Sequence, residues 1–85
     1  MANDYEILLK RKVHNELKQI QGSRRKGIEQ FIDYISDNPF EEGDFSETDR
    51  EGRIVHCKII RDYAITFYPD HAVREVKVIE LTHTP

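Results

Sequence analysis

Tryptophan is absent, methionine and cysteine occur once each, and only four glycines and three prolines interrupt the 85 residues. The lone Cys57 cannot close an intrachain disulfide, so the fold does without the staples of small secreted scaffolds, and a cytoplasmic setting is expected. No apolar run approaches the roughly 18 residues that a membrane span needs, and the N-terminal stretch has no signal-peptide core. No membrane partner is expected. There is also no glycine-rich phosphate loop, no Gly-x-Ser-x-Gly elbow and no Cys–His nucleophile pattern. His14, His56, His71 and His83 lack ligand spacing, so neither a metal nor a cofactor is expected.

The length allows a single domain over residues 1–85, with a modest core. A composition 38% hydrophobic and 34% charged places the chain among folded rather than disordered sequences. The net charge of −3 hides an uneven distribution, because residues 41–52 hold six acidic side chains against one basic. Elsewhere cations cluster, as Lys10-Arg11-Lys12 and Arg24-Arg25-Lys26, each at the start of a helical pattern where the helix dipole disfavours them. Such clusters read either as solvated helix ends or as contacts for nucleic-acid phosphates or an acidic protein.

Tyr5–Leu9 reads as a short strand. Val13, Leu17 and Ile20 recur at spacings of four and three, predicting a helix from about Lys10 to Gln21 that stops at Gly22. Ser23 is a candidate cap for a second helix, in which Ile28, Phe31, Ile32 and Ile35 share a face until Asn38-Pro39 ends it. The two should form an antiparallel hairpin. The period then changes from 3.6 to 2, with strands expected at Phe45–Thr48, Arg53–Ile60, Tyr63–Tyr68 and Val73–Thr82. The expected architecture is α+β, in the order β-α-α-β-β-β-β, an antiparallel sheet packed on one face against the hairpin. Val55, Cys57 and Ile59 are assigned with Tyr63, Ile65 and Phe67 to the face covering the helices, leaving His56 and Lys58 opposite. The last strand changes phase between Val78 and Ile79, which a central strand covered on both sides would explain.

The residues suited to chemistry are His56, Lys58, Arg61, Tyr63 and His83. RNA cleavage through its own 2′-hydroxyl needs a group to take that proton, a cation on the phosphate and a group to protonate the departing 5′-oxygen. Histidine can exchange protons near neutrality, and His83 at the last strand's end is the better placed. Its bland alternative is a solvent-exposed terminal residue. Cys57 is read as a small buried hydrophobe.

With a strand, a helical hairpin ending in Asn38-Pro39, and the strand–turn–strand run from Gly52 to Tyr68, the chain resembles the RelE/ParE superfamily of type II toxin–antitoxin toxins. The resemblance implies either of two activities. RelE-like members are metal-independent endoribonucleases that cleave mRNA on the ribosome, whereas ParE-like members inhibit DNA gyrase without cleaving anything. Both are neutralised by a cognate antitoxin. It places His56 and Lys58 at the family's alternating basic positions as catalytic residues around the reacting phosphate, His83 at the proton-transfer position and Arg61 as the nearest charge stabiliser. Tyr63, Arg53, Arg24, Arg25 and Lys26 are the expected RNA contacts. The sequence departs from the family pattern at Ala64, where an arginine normally follows the aromatic residue, and in its net negative charge. Ala64 favours gyrase inhibition or a catalytically inactive, antitoxin-binding member, and the negative charge points to weaker ribosome binding or a different target.

Overall fold

The computed structural model describes residues 5–84; residues 1–4 and Pro85, which the single-domain expectation includes, lie outside them. The elements are β1 (Glu6–Leu9), α1 (Arg11–Gln19), α2 (Gly22–Asp37), β2 (Phe45–Thr48), β3 (Ile54–Ile60), β4 (Tyr63–Asp70) and β5 (Glu75–His83). They form one five-stranded sheet in the order β1-β5-β4-β3-β2, with two helices, which is the expected α+β plan. Strands β2 to β5 make the antiparallel meander. β1 joins beside β5 in parallel, so the sheet is mixed.

The helices form where the 3.6-residue period places their apolar side chains. Val13, Leu17 and Ile20 merge with Ile28, Phe31, Ile32 and Ile35 into one core against Tyr63, Ile65, Phe67, Val76, Val78 and Leu81. Gly22 takes a positive φ of 67° at the junction, a conformation that costs glycine little. Ser23 is not the cap: α2 begins one residue earlier, and its N-cap, Gln21, makes no side-chain capping bond. At the other end Asn38 closes α2, its N–H bonding to Ile35 O and its Nδ2 to Tyr34 O.

Two expectations about the sheet are corrected. Lys58 pairs directly with Ile65 and His56 with Phe67, and residues directly opposite in an antiparallel ladder project to the same side. His56 and Lys58 therefore lie on the helix-side face. Val55, Cys57 and Ile59 project from the other face, with Thr66 and Ala64. Alternation did not decide this because both sides of β3 are rich in apolar residues, Ile54 and Ile60 on one and Val55, Cys57 and Ile59 on the other. The phase change in β5 has a different cause from the one expected. Between Thr66↔Glu80 and Phe67↔Val78 the register shifts, leaving Ile79 as the extra residue of a bulge, so that Val76, Val78 and Leu81 all reach one core.

Candidate functional site

β3 and β4 are joined by only Arg61 and Asp62, between the paired Ile60 and Tyr63. Arg61 has a φ of 56°, the sign that a primed two-residue hairpin turn needs at its first central position. The end of β5 is tied to this turn, since Tyr63 pairs with His83 and the Thr84 N–H donates to Asp62 O at 2.7 Å. His83 Nε2 lies 3.0 Å from Asp62 Oδ2, and the Arg24 guanidinium of α2's first turn lies 3.2 Å from the same oxygen. The Tyr63 ring meets the His83 ring edge-on, with centroids 5.1 Å apart.

Burial works against the charge on Asp62, but the hydrogen bonds from His83 and its own backbone, with Arg24 beside it, outweigh that and hold its carboxyl below the ordinary aspartate value. An open concavity lined by residues 19–24 and Tyr63 adjoins the cluster. Arg61 is exposed, and Arg25 and Lys26 follow Arg24 on α2, with Arg25 paired to Glu29. This end of the sheet thus brings together His83, Arg61, Tyr63 and Arg24 of the sequence candidates. It adds Asp62, a turn residue that no pattern in the sequence marks as functional.

His56 and Lys58 form a second group. The Ser46 Oγ and His56 Nδ1 are 2.8 Å apart, and the His56 ring packs on Phe67. Lys58 Nζ lies 6.0 Å above the Phe31 ring and 3.4 Å from Asp44 Oδ1. Asp44 also accepts the Ile59 N–H through Oδ2 at 2.8 Å, and this backbone bond is the main reason its carboxyl lies low. Nearby, the Tyr34 hydroxyl donates to Glu41 Oε1, and that bond with the glutamate's charge raises the phenol pKa. Between the two groups Ile60 packs under Gly27 of α2, the Cγ2 being 3.4 Å from where a Cβ would stand. The structure does not bring His83 and Arg61 into contact with His56 and Lys58.

The remaining candidates lie elsewhere. Arg53 projects from the sheet face away from the helices, where its guanidinium stacks 4.1 Å from the Tyr68 ring centroid and its Nη2 lies 2.7 Å from Asp49 Oδ2. Ala64 is on that same face, paired with Ile59 and Thr82. An arginine at position 64 would therefore point away from His56 and Lys58. Among the described residues no three metal-binding side chains converge.

No protein-family model matches the chain, and no curated protein matches it. Among solved structures it is similar to one described as the archaeal RelE–RelB complex from Pyrococcus horikoshii OT3, with a TM-score of 0.73 and 15% sequence identity. The match covers 93% of each chain. The fold is RelE-like.

Proposed function

We propose that the chain is the toxin of a type II toxin–antitoxin pair, bound by a cognate antitoxin and acting as a cytoplasmic, RelE-like endoribonuclease on ribosome-bound mRNA. The likeness to RelE in a RelE–RelB complex, over 93% of both chains, supports a toxin that has a protein partner. The observation that carries the chemistry is the contact of His83 and Arg24 with one Asp62 oxygen at the sheet's end.

In the reaction the RNA 2′-oxygen bonds to phosphorus as the bond from phosphorus to the 5′-oxygen breaks. One proton leaves the 2′-hydroxyl and one arrives on the 5′-oxygen, giving a 2′,3′-cyclic phosphate and a 5′-hydroxyl. His83 is the proton-transfer group, while Arg61, Arg24 and Lys26 supply positive charge for the phosphates. Tyr63 borders the concavity but is a core residue only 9% exposed, so it supports the wall there rather than stacking on a base. His56 and Lys58, on the far side of Ile60, contact RNA outside the reacting phosphate.

A second reading, binding without cleavage as in a gyrase inhibitor or an inactive antitoxin-binding member, is favoured by one observation. The face on which position 64 lies carries Ala64 between Ile59 and Thr82, and the Arg53 guanidinium on that face is held by Asp49 and Tyr68 at the other end of β3. Primer extension on a defined mRNA in programmed ribosomes, with no metal added beyond the magnesium that holds the ribosome together, separates the readings. Cleavage by the purified protein supports the ribonuclease, and an uncut message with inhibited gyrase supercoiling supports the second reading.

A further inference from the structure

Resting on the ribonuclease reading, we infer that Asp62 is a positioning residue, which holds the His83 ring by Nε2 and so presents Nδ1 to the scissile phosphate. An ionised carboxylate only accepts hydrogen bonds, so the 3.0 Å contact requires the proton to be on Nε2. The lowered carboxyl of Asp62 keeps it ionised at neutral pH. An exposed histidine without such a partner exchanges its proton between the two ring nitrogens, whereas a fixed carboxylate selects one tautomer and one orientation.

Two features hold the arrangement for that task. The Arg24 guanidinium forms an ion pair with the same Oδ2 at 3.2 Å, and the bond from Thr84 N–H to Asp62 O fixes the strand end carrying His83. The groups facing His83 are therefore Asp62 from the turn, Tyr63 from β4 and, through Asp62, Arg24 from α2. With Nε2 committed inward, Nδ1 is the nitrogen left to exchange a proton with RNA. Asp62 itself touches no reacting atom.

The test is a long-range proton–nitrogen NMR spectrum of the uniformly 15N-labelled protein at about pH 8.5, two units above the ordinary histidine value. His83 is expected in the Nε2–H tautomer, and Asp62→Asn, which keeps the shape of the side chain, should give a mixture of both. In the ribosome assay Asp62→Asn should lower kcat at least tenfold with KM unchanged, and Asp62→Glu should recover part of that loss. An Nδ1–H tautomer in the wild type, or an Asp62→Asn spectrum unchanged from it, overturns the inference. So does a changed tautomer with undiminished cleavage, which leaves the ribonuclease reading standing. Should the wild type cut no message, that reading fails, and the spectrum still decides whether Asp62 sets the ring. Arg24→Gln, which removes the cation beside the carboxylate without touching the ring, guards against misfolding of the Asp62 variants and should loosen the same tautomer preference.

Discussion

Lys58 lies directly across the β3–β4 ladder from Ile65, a residue with 0% exposure. That pairing fixes which side of the sheet each β3 residue occupies. It sets Lys58 beside Phe31 at the margin of the core and turns Cys57 to the opposite face.

Ile65 sits at the centre of the meander, between Lys58 and Leu81. Ile65→Ala leaves a cavity with little room to collapse and should cost about 2–5 kcal/mol in urea unfolding, with an unchanged m-value.

Gly43 and Gly52 both adopt positive φ, at 68° and 80°, but only Gly43 is crowded. A Cβ on Gly43 would stand 2.4 Å from Cys57 O, whereas nothing lies within 4 Å of one on Gly52. Gly52→Ala should cost about 1–2 kcal/mol, the left-handed conformation alone, and Gly43→Ala distinctly more. Thermal melts of the two variants side by side check the order.

Backbone hydrogen bonds from Ile59 to Asp44 and from Arg53 to Asp49, and the hydrogen bond from Lys77 to Asp70, hold these carboxyls below their ordinary values. Groups depressed on folding stabilise the protein above their unfolded value of about 3.9, and that contribution is lost as the pH falls through the folded values. The melting temperature should be flat near neutrality and drop below about pH 4. Asp44→Asn should lower the neutral melting temperature and flatten the acid limb.

Burial pushes the Cys57 thiol up, and the residue is 4% exposed. Its reaction with a disulfide reagent at pH 7 should be at least tenfold slower in the native protein than in denaturant.

Much of the fold was legible in the sequence, because the helices rest on unambiguous 3.6-residue spacing and the strands on the change to a two-residue period. The bounds of β2 coincide with those expected, and the other elements differ by a residue or two. Three features were not legible. β1 is only four residues long, and nothing local selects its parallel pairing with β5. The bulge at Ile79 depends on the register of a partner strand. The sidedness of β3 was hidden by apolar residues on both faces, which misassigned His56 and Lys58. At the candidate site, His83 and Tyr63 were readable as residue types at strand ends. Asp62 was not, since its contact with His83 spans 21 positions and exists only once β5 has paired with β4.

The most direct test compares His83→Ala with His56→Ala in mRNA cleavage on programmed ribosomes, with both variants shown to be folded. The site at the β3–β4 turn requires His83→Ala to lose at least about 100-fold in rate, the low end of what a general acid–base group contributes, and His56→Ala to keep most of its activity. The reverse order, with His56 essential and His83 dispensable, would contradict it.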